Sequence, residues 1–296
     1  AGLRPAAGEV IASDGQRVGY ADLLAGEHVE LMLDPAAPTK PEADYTLVGT
    51  SVPRLDLAAK VTGEAVYVHD LRRSGMLHGR GVRPPYAGLD AGPFVGTSLL
   101  GVDEASIAHL PGIVKVVVIG DFIGIVAQRE EQAEAAMHAL QVQWAPHTPH
   151  LPDTPLDDLA QAISANPSTP RVVADQGDVD AALAGAAQRL DREYVWPYQL
   201  HASIGPSCAV AEWLDDGHGA SATVWTGSQN PHVLRADLAR LTGLADTAIE
   251  VIRLEASGCY GRNGADDVAA DALLLARAVG APVRVQLTRE QEHAWE

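Results

Sequence analysis

Two short segments concentrate the residues whose types and spacing could do chemistry. The first is Gln229-Asn230-Pro231, at the junction of a run with strand character, Thr223–Thr226, and a helical run starting at Pro231. A carboxamide offers a donor and an acceptor without a charge, so Gln229 can hydrogen-bond an anionic group at no electrostatic cost. Asn230 suits a helix N-cap and Pro231 a first helical turn, so plain helix entry is the competing reading. The second segment is Ser257-Gly258-Cys259-Tyr260-Gly261-Arg262-Asn263-Gly264, between an expected strand and a long expected helix. Its glycines let backbone come close to a ligand, and amides at the mouth of a helix suit an anion; a tight turn alone explains the same glycines. The planar fork of Arg262 fits a substrate carboxylate, and equally an ion pair with Asp266 or Asp267. No histidine lies near Cys259 in sequence to activate it, so it reads as a small buried thiol, and Cys208, in an apolar strand, reads as core. His201, taken alone, reads as a satisfied structural histidine. Trp196 and Tyr198, two apart on an expected strand, read as core.

These segments must be positioned by the elements around them. Residues 1–50 are rich in Pro and Gly, and Pro35, Pro38 and Pro41 break anything longer than a short helix near Ala21–Leu24, so an extended arm is expected. Residues 51–146 change to short β-branched runs that predict strands at Ala65–His69, Leu77–Val82, Val114–Ile119 and Ile123–Ala127. Ala133, Ala136, Met137 and Leu140 share one stripe at offsets of three and four, which predicts an amphipathic helix over 129–140 feeding a strand at Gln141–Trp144. Residues 147–175, with Pro at both ends around a small helix near Leu156–Ile163, read as a linker. Residues 176–296 then alternate. Helices are expected at Val179–Ala187, Pro231–Leu241 and Ala265–Ala278, and strands at Asp191–Trp196, Ser207–Trp213, Thr223–Thr226, Ile249–Leu254 and Val283–Leu287. Thr288 opens a last helix as its N-cap. The fold class is α+β, in two domains after the arm.

Bulk properties narrow the partners. With 21 Lys and Arg against 39 Asp and Glu, the formal charge is −18, which repels phosphate backbones and anionic lipid surfaces, so nucleic-acid and membrane-surface roles are disfavoured. Two cysteines are too few for a disulfide framework, a four-thiolate zinc site or a four-cysteine iron–sulfur cluster. No apolar run approaches the roughly 18–20 residues of a membrane span, and no basic-then-apolar leader opens the chain. A cytoplasmic location is the expectation, with the periplasm left open.

Beyond composition, Pro53–Asp70 (PRLDLAAKVTGEAVYVHD), Gly75-Met76-Leu77, VRPP at 82–85, PGI at 111–113 and GDFIGIVAQREEQAEAA at 120–136 occur in an order that resembles the opening of the molybdopterin-binding large subunits of molybdenum hydroxylases, the xanthine dehydrogenase and aldehyde oxidase family. The resemblance continues through YQLHASIGPSCAVAEW at 198–213, TGSQNPHVLRADLARLTGL at 226–244 and the segment 255–292. IGPS and GCYGRNGADD give it the flavour of the nicotinate and isoquinoline dehydrogenase branch. It implies a hammerhead-like α/β domain at 51–146 followed by part of the first molybdopterin-binding α+β domain at 176–296.

The resemblance also implies chemistry: hydroxylation of an electron-poor carbon of an N-heteroaromatic or aldehyde, with oxygen from water. The metal of the molybdenum–molybdopterin cofactor is held by the pterin and not by side chains, with the cytosine dinucleotide as one form of its tail. Gln229 matches the glutamine that hydrogen-bonds an oxygen ligand of the metal. Gly258, Tyr260 and Gly261 match the glycine-rich run beside it, and Tyr260, Arg262 and His201 fall at the substrate pocket. Cys259 and Arg262 depart from positions commonly glycine. The carboxylate general base belongs to a later portion of such subunits, and no segment here matches it, so the chain alone is expected to be inactive. The expected partners are the rest of the molybdopterin-binding portion, a [2Fe-2S] chain and a flavin or haem acceptor. A fold retained as a non-catalytic scaffold is the alternative.

Overall fold

The computed structural model describes residues 2–26, 30–32, 34–84, 98–146, 158–165, 169, 171–197, 199–217, 219–261 and 267–295. They divide into two compact units, residues 1–58 and 59–296. In the first unit β1 (Arg4–Ala6), β2 (Glu9–Ile11) and β3 (Arg17–Gly19) form an antiparallel meander, followed by α1 (Tyr20–Leu24). The expected arm is thus replaced at 4–24 by a small ribbon. Its strands are three residues long, too short for alternation to announce them.

After α2 (Leu57–Thr62), the second unit runs β4 (Leu77–Val82), β5 (Leu99–Asp103), β6 (Ile113–Ile119), β7 (Phe122–Ala127), α3 (Glu130–Ala139), β8 (Gln141–Trp144), α4 (Leu159–Ala165) and α5 (Val179–Ala184). It continues with β9 (Cys208–Asp215), β10 (Ala220–Thr226), α6 (Pro231–Thr242), β11 (Ile249–Arg253), α7 (Asp267–Val279), β12 (Val283–Gln286) and α8 (Arg289–Trp295). Seven strands make one mixed sheet in the order β11-β10-β9-β12-β4-β7-β6, and β5 pairs with β8 separately. The sheet runs straight across the boundary expected at 147–175: β12 pairs in parallel with β4, Val283 opposite Leu77 and Arg284 opposite His78. The architecture is mixed α/β.

One face of this sheet is apolar. Ala209, Ala211, Val224, Val283 and Val285 pack under α7 through Ala272, Leu273, Leu275 and Ala276, all fully buried. The other face carries Ile123 and Ile125 against Ala136 of α3 and Leu140 just past its end, then turns polar toward β4 and β12. There Arg80 and Arg284 are 4% and 5% exposed, and Glu130 of α3 joins them, at 2.9 Å from Arg80 and 2.8 Å from Arg284.

Two expected strands are absent. At 65–69 the chain makes a single parallel bridge from Tyr67 to Glu255 and then a 3-10 turn, Val68–Asp70. Asp191–Trp196 pairs with no described strand, and Trp196 is 70% exposed instead of core; strand propensity supplies no hydrogen-bond partner of its own. Tyr198 lies outside the described residues. At the other end Thr288 caps α8 as expected. Its Oγ1 accepts from the Gln291 amide and its own amide donates to the Gln291 side chain, each at 3.1 Å. Among the described residues no helix is long and apolar enough to cross a membrane.

Candidate functional site

The path β10–α6–β11–α7 brings the two chemistry-bearing segments together. β10 and β11 are parallel neighbours, with Thr226 opposite Arg253, so their carboxyl ends emerge side by side at one edge. The turn after β10 leads into the amino end of α6, and the run after β11 leads toward that of α7. The amino end of α6 follows directly on this edge, and the carboxyl ends of strands are where open α/β sheets bind ligands.

Gln229 sits on the first of these turns. Gly227 and Ser228 are buried, whereas Gln229 and Asn230 are exposed. Ser228 donates its amide to Thr226 Oγ1 at 3.4 Å and accepts the Asn230 amide on Oγ at 3.1 Å, a tight path that leaves the Gln229 side chain outside. Asn230 occupies the N-cap position of α6, but its side chain makes no capping hydrogen bond. The Gln229 carboxamide reaches across to the second segment, where its Nε2 donates to Cys259 Sγ at 3.2 Å.

On that second segment Cys259, Tyr260 and Gly261 are exposed, Tyr260 at 57%. Cys259 is therefore not the buried thiol expected from its lack of a neighbouring histidine: it lies on a turn past the end of β11, at the rim of the sheet and not beneath a helix. Cys208 is buried on β9 as expected, and burial pushes its thiol up to about 11. Gly261 has φ +135°, and a Cβ there would meet the His201 ring at 2.8 Å. This backbone conformation disfavours any side chain, and a Cβ would also require the exposed His201 ring to move. The structure thus brings Gln229, Gly258, Tyr260, Gly261 and His201 to one edge. Arg262 lies outside the described residues.

Several supporting contacts had no signal in the sequence. Ser203 Oγ donates to Gly258 O at 3.2 Å. Arg289 of α8 donates to the carbonyls of Ser203 and Ile204, and the buried Glu292 accepts from both the amide and the hydroxyl of Ser207, at 2.7 and 3.2 Å. Behind the glycine run, Lys60, Tyr67, His69, Asp70, Glu255 and Ser257 line an open cleft of about 500 Å³.

Residues 165–295 match the family model described as the molybdopterin cofactor-binding domain. The chain is 60% identical over 294 residues to a nicotinate dehydrogenase subunit of Pseudomonas putida, covering 99% of this chain and 24% of that protein. It is 27% identical to the beta subunit of isoquinoline 1-oxidoreductase of Brevundimonas diminuta, covering 86% and 32%. Among solved structures, quinoline 2-oxidoreductase from Pseudomonas putida 86 shares the fold, with a TM-score of 0.62 at 21% identity over 83% of this chain and 35% of that one. The chain thus spans about a quarter to a third of the length of these relatives. Both sequence relatives lie in the branch that IGPS and GCYGRNGADD suggested, and the edge just described, apart from His69 and its neighbours, falls within the matched residues 165–295.

Proposed function

We propose that the edge formed by Gln229, Gly258, Tyr260 and Gly261 is one wall of a molybdenum–molybdopterin site in an oxidoreductase that hydroxylates an N-heteroaromatic or aldehyde substrate with oxygen from water. The observation that carries the reading is the convergence of Gln229 with the glycine run, at 3.2 Å between Nε2 and Cys259 Sγ, at the start of α6. The donors on this edge are a neutral carboxamide and backbone amides. Such donors fit an anionic cofactor whose metal is held by its own sulfur ligands and asks the protein only for hydrogen bonds and shape. When bound, that group supplies the redox chemistry of the hydroxylation.

The side chains have separate tasks. Gln229 holds an oxygen of the group through its carboxamide, and Gly261, having no Cβ, lets the backbone approach. The ring of Tyr260 offers a flat wall to a heteroaromatic, with His201 at the pocket entrance. The carboxylate base, the rest of the pocket, and the iron–sulfur and flavin or haem carriers belong outside these residues.

The test is a comparison of full-length wild type with Gln229→Ala and Tyr260→Ala, copurified with its partners. Gln229→Ala is expected to lower molybdenum occupancy or turnover about 10- to 100-fold, and Tyr260→Ala to raise KM for an N-heterocycle. Unchanged molybdenum and unchanged turnover in both variants would favour the scaffold reading.

A further inference from the structure

The turn at 201–207 is tied down at nearly every residue, and its backbone explains why. Ala202 has φ +53°, a left-handed conformation that is unfavourable for a non-glycine residue and persists only where the surroundings over-determine it. Arg289 and Glu292 fix the turn from α8, as described above. The opposite side is fixed by Ser257, which lies 52 residues beyond Gly205 and opens the glycine run.

Ser257 Oγ accepts the Gly205 amide at 2.9 Å and lies 3.3 Å from the Gly205 carbonyl and 3.5 Å from His69 Nδ1. The other ring nitrogen of His69, Nε2, is 2.8 Å from the Pro206 carbonyl. A carbonyl only accepts, so His69 carries a proton on Nε2, while Nδ1 faces the Ser257 hydroxyl, whose one proton is directed to the nearer Gly205 carbonyl. The fit leaves no slack: a Cβ on Gly205 would lie 2.3 Å from Ser257 Oγ and 2.8 Å from His69 Nε2. Together with Ser203 on Gly258, these bonds lace the turn to the glycine run, and the same turn sets His201 against Gly261.

We propose that Ser257 and His69 are positioning residues, a clamp that holds the strained 201–207 turn onto the run 257–261 and so fixes where Tyr260 and Gly261 stand relative to Gln229. The consequence for turnover rests on the function proposed above; the clamp itself does not. In the full-length protein, Ser257→Ala removes the acceptor of the Gly205 amide. Amide hydrogen exchange over 201–207 and 257–261 is expected to accelerate about three- to tenfold, the loss of one net hydrogen bond, with β9 and β12 unchanged. Ser257→Thr, which keeps the hydroxyl, restores slow exchange. In the enzyme with its partners, Ser257→Ala lowers kcat by a similar factor at constant molybdenum content, and Ser257→Thr recovers it. Unaltered exchange in Ser257→Ala, acceleration spread equally into β9 and β12, or failure of Ser257→Thr to rescue overturns the clamp. Altered exchange in a protein that never binds molybdenum supports the clamp and removes the cofactor reading.

Discussion

The two faces of the central sheet solve burial in opposite ways. Under α7 the contact is aliphatic apart from the buried Asp271, which pairs with Arg83 at 2.7 Å beside Gly81, and Leu275 descends onto Gly79 and Gly124, where a Cβ would lie 2.6 and 2.5 Å from its methyl groups. Under α3 the same strands, β4 and β12, turn His78, Arg80 and Arg284 inward, with Cys208 of β9 beside them. Here Glu130 answers both guanidiniums, and Arg284 also reaches Gln286 at 2.5 Å. Arg80 Nε, Arg284 Nε and His78 Nδ1 still have no hydrogen-bond partner among the described residues. The apolar face draws stability from area removed from water, whereas the ionic face holds only while its charges match, since an unmatched buried charge costs more than a matched pair contributes.

Breaking each face separately tests this contrast. Leu275→Ala on the apolar face leaves a cavity in a layer already lacking Cβ atoms at Gly79 and Gly124, and should lower unfolding free energy by about 3 to 5 kcal/mol in urea denaturation. Glu130→Ala strips the shared anion from two buried arginines. A loss of about 2 to 4 kcal/mol is expected, discounted because Glu130 keeps contact with water; a loss below about 1 kcal/mol would mean that water enters and solvates the arginines.

The smallest effect is in pH. Burial, followed by the charge of Arg284, depresses the His78 value below its ordinary 6.5. Burial alone would raise the Glu130 carboxyl, but Arg284 and Arg80 outweigh it and hold the value below 4.5. For each group the unfolded chain takes up the proton more readily. Stability is therefore lost first as pH falls through about 6.5 on account of His78, and again below the carboxylate range on account of Glu130. Thermal melts of His78→Gln should lose less between pH 7 and pH 5 than wild type, by under about 1 kcal/mol. Parallel melting curves would show that His78 does not titrate in that window.

This contrast also marks what could be read from the sequence. The stripe of Ala133, Ala136 and Leu140 gave the helix, and short runs rich in β-branched residues gave strands such as Leu77–Val82, because burying apolar groups leaves a trace in residue type and spacing. The trace says nothing of what an inward arginine meets: Arg80 finds Glu130 50 residues away and Gln286 206 residues away. The candidate site divides likewise. Gln229 and the glycine run stand out by type, and parallel pairing of β10 with β11 supplies their meeting. Ser257, His69 and Glu292 look ordinary, because their partners are 52 to 188 residues distant. The strand expected at Asp191–Trp196 misled for the reverse reason. Local preference favoured it, while the chain there runs exposed, with Tyr194 and Trp196 rings 6.1 Å apart.

The anchoring of the 203–207 turn by Arg289 and Glu292 has a practical corollary for anyone cutting this polypeptide into pieces. A fragment that stops at the end of β12 would retain every residue of the proposed wall and every strand of the sheet, yet would lack the two side chains from α8 that grip the turn beneath it. Such a fragment should fold its sheet and present a slack rim, so the shortest useful expression boundary lies beyond Glu292.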